Sequence, residues 1–387
     1  MEKTPVALRK HVVLIGKRNA GKSTLFNALT GQNKAIVSSQ PGTTTDPVRT
    51  AMELIPFGPI TLIDTAGLDD EGSLGTKRMQ KTHDVCRRAD AVLYVAAADD
   101  FNQAEYLQFC EEKIPHILIF TKSDIFHDNT VHLLADYSDA IFVKNDLTEL
   151  RERLTAILQS QQQEDETLIG HFLPPGSNVV MVIPVDSEAP KGRLILPQVQ
   201  LLRDCLDHGI KCFVTRESEL TSAMNCLTNV ALVVTDSQVF EFVNNHIPRA
   251  VPLTSFSILL ANQKGNFQQL LEGADQIESL PENARILILE GCTHNHNHED
   301  IGRVKIPFLL QKKTGKHFQF DYFTGYDFPG DLDAYDLVIQ CGSCMINKKE
   351  ITSRLDRIRE KKIPVTNYGI VLAWCNGILR RCCECLL

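Results

Sequence analysis

The chain lacks the features that would place it in a membrane or on a polyanion. No apolar run approaches the roughly 20 residues that a membrane-spanning helix needs. The opening stretch, MEKTPVALRK, has no apolar core of a signal peptide. The expectation is a cytoplasmic protein with no membrane partner. Positive charge is not in excess: 40 Lys and Arg against 48 Asp and Glu leave a net charge of −8. That balance gives no global attraction for nucleic acid or an anionic membrane. No basic module with a G-x-x-G loop follows residue 170, so nucleic acid is not an expected partner. No clear internal repeat is visible either. In a reducing compartment the 12 cysteines do not form a disulfide framework.

What is present suits a globular protein of several parts. A length of 387 residues exceeds one ordinary core, and 43% hydrophobic with 23% charged residues is the composition of a soluble domain protein. The first segment alternates apolar runs (HVVLIG, PITLIDTAG, AVLYVAAA, HILIFTKSD) with helical patterns, which predicts a parallel sheet covered on both faces. A helix near Leu147 to Leu158 closes it, and the polar QSQQQEDET reads as a linker. A second βα pattern carries VVMVIP, KCFVTR and ALVVTD. A third, after a polar helix around residues 264–283, carries RILILE, FQFDYF, DLVIQC and IPVTNY. The predicted class is α/β: a first domain over 1–160, then two smaller parallel-sheet domains over 170–265 and 270–387.

The nucleotide motif is specific. Gly16-Lys-Arg-Asn19-Ala20-Gly21-Lys22-Ser23-Thr24 fits G-x-x-x-x-G-K-[ST] between an apolar strand and a helical pattern. Glycines let such a loop curl so that backbone N–H groups face phosphates, and the helix N-terminus adds its positive end. Lys22 is predicted to reach the β- and γ-phosphates and Ser23 to ligate Mg²⁺. Asp64-Thr-Ala-Gly67 ends a strand: its Asp can hold Mg²⁺ through water and the Gly67 N–H can meet the γ-phosphate. Pro41-Gly-Thr-Thr44-Thr45 supplies Thr44 as a further Mg²⁺ candidate. Thr121-Lys122-Ser-Asp124 decides the base, because a carboxylate accepts two hydrogen bonds from guanine that adenine cannot donate. A Ser-Ala-Lys-like loop is missing; the nearest text is Val143-Lys144-Asn145.

These motifs make the domain over 1–160 a P-loop GTPase domain. The strings resemble the TrmE–Era branch of GTPases, with Thr45 where Arg is more usual. The resemblance implies a K⁺ ion beside Asn19 and, with Leu68 in place of a water-positioning Gln, slow intrinsic hydrolysis. Glu71 is a candidate to orient water, or an ordinary solvated acidic residue.

Most cysteines lie late in the chain: Cys292, Cys341, Cys344, Cys375, Cys382, Cys383 and Cys385. Cys341-Gly-Ser-Cys344 follows the strand DLVIQ, and Cys292-Thr-His294 follows RILILEG. Neighbouring strand ends of one sheet could bring the three thiols together. They could then hold an iron–sulfur cluster with one accessible iron, or, with His294, a zinc ion. They could also be inert core cysteines. His296 and His298 extend the loop as metal-facing groups or as a polar turn. The terminal Cys382-Cys383-Glu-Cys385 reads as a reactive tail.

Over the whole chain, DSEAPKGRLILPQVQ, TSFSILLANQKG, EGCTHNH, EDIGRVKIP and CGSC resemble the HydF family, GTPase scaffolds of [FeFe]-hydrogenase maturation. That resemblance implies a middle segment that forms a homodimer. It also implies a [4Fe–4S] cluster on Cys292, Cys341 and Cys344, and a diiron precursor held for apo-hydrogenase. The radical-SAM maturases HydE and HydG would act upstream. The family pattern has His where this chain has Gln340, so that ligand does not carry over, and His294, a residue from elsewhere or no residue serves as the fourth. Two other classes compete: a ribosome-assembly or tRNA-modification GTPase, and a zinc-stapled regulatory GTPase.

Overall fold

The computed structural model describes residue 5 and residues 8–31, 48–65, 82–83, 85–122, 136–143, 146–161, 167–185, 194–291 and 301–387. The chain divides into two compact units, Met1–Asp165 and Glu166–Leu387.

In the first unit, six strands form one sheet: β1 Lys10–Ile15, β2 Val48–Leu54, β3 Gly58–Asp64, β4 Ala91–Ala97, β5 His116–Thr121 and β6 Ile141–Phe142, in the order β2-β3-β1-β4-β5-β6. All neighbours are parallel except β2 and β3, so the expectation of a wholly parallel sheet is corrected at that edge. The reason lies in β2 itself. Its buried positions, Thr50 and Leu54, are spaced for one covered face, as an edge strand in a hairpin requires. Central strand β4 is buried throughout. After β1 the chain crosses to β3 on one side and then to β4 on the other. This reversal opens a crevice at the C-terminal ends of β1, β3 and β4.

The second unit holds two four-stranded sheets, all parallel. The first comprises β7 Asn178–Val182, β8 Lys211–Thr215, β9 Val230–Thr235 and β10 Leu253–Ser255, in the order β10-β9-β7-β8. The second comprises β11 Arg285–Glu290, β12 Gln319–Thr324, β13 Leu337–Gln340 and β14 Val365–Asn367, in the order β12-β11-β13-β14.

These two orders are the same connectivity, and this overturns the reading of a chain without a repeat. In both, the first strand pairs with the second and third, and the fourth lies beside the third. The sequence agrees once the registers are superposed. Pro252-Leu-Thr-Ser-Phe-Ser-Ile-Leu-Leu-Ala261 lies opposite Pro364-Val-Thr-Asn-Tyr-Gly-Ile-Val-Leu-Ala373. In each copy the fourth strand runs into a helix through a side-chain N-cap. Ser255 accepts from Ile258 N for the helix Phe256–Lys264, and Asn367 accepts from Ile370 N for the helix Tyr368–Cys375. The two helices pack on each other. Asn367 donates to Ser257 O at 3.0 Å, and a Cβ on Gly369 would lie 2.9 Å from Ser257 Cβ.

Candidate functional site

The register of the first sheet brings Leu14 opposite Asp64, so the loop after β1 and the aspartate ending β3 share one edge. Two backbone features shape that loop. Gly16 has φ +143°, and a Cβ there would lie 1.9 Å from Val95 O; Gly21 has φ +88° and caps the helix Lys22–Thr30 in the left-handed region. Asn19 also has positive φ, 61°. The loop thus curls tightly with its helix N-terminus toward the crevice, the arrangement that binds phosphates.

Side chains complete it. Lys22 is buried, and its Nζ donates to Gly16 O at 2.8 Å and Lys17 O at 2.7 Å. Ser23 Oγ donates to Asp64 Oδ2 at 2.9 Å. The other carboxylate oxygen, Asp64 Oδ1, is buried without a hydrogen-bond partner among the described residues. Burial pushes the Asp64 carboxyl above its usual range, while the Ser23 bond and the Lys22 charge pull it down. A hydroxyl and a half-satisfied buried carboxylate side by side are a donor set of the hard-oxygen kind that Mg²⁺ takes. Ala20 is buried in the loop and Thr24 is exposed on the first helical turn.

Thr121, at the end of β5, joins that strand to the phosphate loop: its Oγ1 donates to Ala20 O at 2.8 Å. This bridge was not evident in the sequence. Lys122 follows in the left-handed region, φ 57°. It lines a cleft of about 270 Å³ with Asn19, Ala20 and Asn102. Lys17 ties the loop to the β4 side through an ion pair with Asp100 at 2.6 Å. Thr44, Gly67, Leu68, Glu71 and Asp124 lie outside the described residues, as do Lys144 and Asn145 of the poor fifth element.

The second candidate site lies at the ends of β11 and β13, which are neighbours with Leu289 opposite Gln340. Cys341 N donates to Leu289 O at 2.9 Å. Cys341 Sγ accepts from Gly291 N at 2.9 Å and Ser343 N at 3.3 Å. A Cβ on Gly291 would come within 3.3 Å of that sulfur. The backbone that leads into Cys292 therefore runs against Cys341. Cys292, His294, His296 and His298 themselves lie outside the described residues. Two backbone N–H groups thus point at one sulfur, the kind of hydrogen bonding that surrounds the sulfurs of a metal–thiolate centre. Cys344 is half-buried against an apolar cluster. Burial pushes its thiol up to about 11, nearby Cys341 adds to the rise, and Lys264 opposes it. Among the described residues no group of three or more His, Cys, Asp or Glu could hold a metal ion; two described thiols fit as part of a set that needs a third donor.

Gln340 is buried, and its Nε2 donates to Ser343 Oγ at 3.1 Å. The same Ser343 hydroxyl lies 3.8 Å from Cys341 Sγ, so this amide braces the turn through Ser343. At the base of the loop, Arg303 forms two bonds with the buried Glu290, at 3.3 and 2.9 Å. The C-terminal cysteines do not form a reactive tail. Cys382 and Cys383 are buried, and burial pushes the Cys383 thiol up to about 12, the Cys382 thiol higher still and the Cys385 thiol to about 11. A reactive cysteine needs the opposite shift.

Comparison with known families bears on both sites. A model described as the hydrogen maturase F dimerization domain matches residues 168–265, and one described as the hydrogen maturase F tetramerization domain matches residues 268–385. Side by side they cover more than half of the chain. The chain belongs to the hydrogen maturase F family. Its first unit is the GTPase domain of that family member: residues 11–122 match a model described as a 50S ribosome-binding GTPase. The segment that its cysteines marked as a cluster domain is the one matched by the tetramerization domain.

Curated relatives share the GTPase part. The tRNA modification GTPase MnmE of Dichelobacter nodosus is 34% identical over 171 residues, 41% of this chain and 36% of the relative. That of Methylorubrum populi is 43% identical over 115 residues, 30% of this chain and 25% of the relative. The chain thus spans only about a quarter to a third of these relatives' length. A solved structure of an Era variant of Aquifex aeolicus bound to GDP and aluminium fluoride is 18% identical. It has a TM-score of 0.35 and covers 61% of this chain and 97% of that one. The fold assignment therefore rests on strand order and the phosphate loop. No helix among the described residues is long and apolar enough to cross a membrane.

Proposed function

We propose that this hydrogen maturase F family member is a GTP-hydrolysing scaffold that carries a [4Fe–4S] cluster on Cys292, Cys341 and Cys344. It holds a diiron precursor for the active site of [FeFe]-hydrogenase. Its partners are a second copy of the chain, the radical-SAM maturases HydE and HydG that supply the precursor, and the apo-hydrogenase that receives it. The observation that carries the cluster is the approach of Gly291 to Cys341 Sγ, at 2.9 Å from the backbone N–H. Gly291, the residue before Cys292, thus packs against a sulfur that also accepts from Ser343 N. Three thiolates leave one iron open for a second iron unit.

In the GTPase unit, Lys22 and the N–H groups of residues 16–24 hold the phosphates, with Asn19 placed for a K⁺ ion. Ser23, Thr44 and Asp64 hold Mg²⁺, and Gly67 meets the γ-phosphate. Thr121, Lys122 and Asp124 read guanine. A bound Mg²⁺ would neutralise charge on the β- and γ-phosphates. The chain's own part is positioning and charge compensation. With Leu68 where a water-orienting Gln would stand, Glu71 is the candidate to orient water among the polar residues of that loop, and the intrinsic rate is slow.

Anaerobic purification followed by visible absorption and iron and sulfide analysis tests the cluster. A broad charge-transfer band with about four irons per chain is expected. A colourless protein with stoichiometric zinc would replace this reading with the zinc-stapled regulator.

A further inference from the structure

The turn that carries Cys341 and Cys344 is braced from outside its own repeat. Ser343 sits in the left-handed region, φ 50°, a conformation that a residue with a Cβ holds only when its surroundings impose it. Some of the bracing is local: Ser343 Oγ donates to Cys341 O at 3.1 Å and accepts from Gln340. The rest comes from Lys264. This residue ends the helix Phe256–Lys264 and is only 5% exposed. Its Nζ donates to Ser343 O and to Ile346 O, each at 3.2 Å. It therefore grips the chain on both sides of Cys344, from 79 residues away in sequence.

A lysine in the last turn of a helix is usually an exposed charge favoured by the helix dipole. Lys264 differs, because burying an ammonium costs several kcal/mol unless it is well compensated. Its position between the two domains of the family is also informative. Lys264 lies within the dimerization-domain match, 168–265, whereas the turn it holds lies within the tetramerization-domain match, 268–385. The same helix contributes Ser257, whose Oγ would lie 3.3 Å from a Cβ on Gly342. One repeat thus covers the thiol turn of the other.

We propose that Lys264 is a positioning residue for the Cys341–Cys344 turn: supplied by the dimerization domain, it holds both thiols in ligand-presenting geometry and sets a fixed positive charge behind them. This rests on the reading of those thiols as cluster ligands. Thiolates on a cluster carry net negative charge that grows on reduction. A nearby buried cation therefore favours the loaded state over the empty one and the reduced cluster over the oxidised one.

The test uses the full chain, reconstituted anaerobically with ferrous iron and sulfide, as wild type, Lys264→Gln, Lys264→Met and Lys264→Arg. Iron and sulfide per chain, the rate of iron loss to a chelator, and the midpoint potential followed by electron paramagnetic resonance are read. GTP hydrolysis and circular dichroism report folding. Lys264→Gln and Lys264→Met should hydrolyse GTP at the wild-type rate, lose iron several-fold faster and show a more negative potential. Lys264→Arg should restore the potential toward wild type. Should Lys264→Met fail to fold, Lys264→Gln decides, since it keeps a donor and loses only the charge. Wild-type iron retention and an unchanged potential in Lys264→Gln overturn the proposal while leaving the cluster reading intact. A wild-type chain that takes up no iron overturns both.

Discussion

At the scale of single residues, each site depends on a partner from a distant part of the chain: Ser23 meets Asp64 across 41 positions, and Lys264 reaches Ser343 across 79. Phosphate binding needs particular residue types at fixed spacing, so Gly16 to Thr24, Asp64 and Thr121 could be named from the sequence. The structure brings Ser23 to 2.9 Å from Asp64. The bracing residues carry no local signature. Nothing in the string around Lys264 announces its hydrogen bonds to Ser343 and Ile346, and nothing in CCEC distinguishes a packed helix from a reactive tail. That helix, Leu379–Cys383, buries Cys382 and Cys383. Alkylation of the native chain at pH 8 should accordingly label exposed Cys226 and leave those two thiols unmodified, as read by peptide mass spectrometry. The sign follows from the shifts: a thiol held at about 12 stays protonated far above pH 8. Prompt labelling of Cys383 would contradict this. For the base, Asp124→Asn should lose GTP affinity and gain xanthosine triphosphate. Two hydrogen bonds to a charged acceptor are worth about 3–6 kcal/mol, or ~10²–10⁴-fold. Nucleotide competition binding checks it, and unchanged GTP affinity would place base recognition elsewhere.

At the scale of elements, apolar runs located most strands, because a strand buried on both faces has to be continuously apolar. Strand β2 was missed for the converse reason: its edge position leaves only alternate residues covered. The repeat escaped notice because its conserved stretch spans only one short strand and one helix, Pro252–Ala261 against Pro364–Ala373. Strand β8 has a further consequence. It is the open edge of the dimerization-domain sheet, with Phe213 39% and Val214 50% exposed. An apolar open edge favours pairing with another strand. Phe213→Asp should therefore weaken self-association by at least about 2 kcal/mol, roughly 30-fold. Light scattering across a dilution series reads this directly, with GTP hydrolysis retained. An unchanged mass at all concentrations would place the contact on another surface.

At the scale of the whole molecule, the chain joins a GTPase domain of the TrmE–Era kind to a duplicated parallel-sheet unit whose second copy carries the thiol turn. The GTPase unit has its own sheet and its own core. The thiol turn lies in the other unit, braced by the first repeat. On the proposed function, one chain houses two chemically independent centres. Iron content and GTP hydrolysis, taken together, on the chain with Cys292, Cys341 and Cys344 all replaced by Ala separate the two. Loss of essentially all cluster iron is expected, with basal hydrolysis within about twofold of wild type, as for sites with no shared residues. A full iron complement in that variant, with Cys375 or the terminal cysteines required instead, would contradict it.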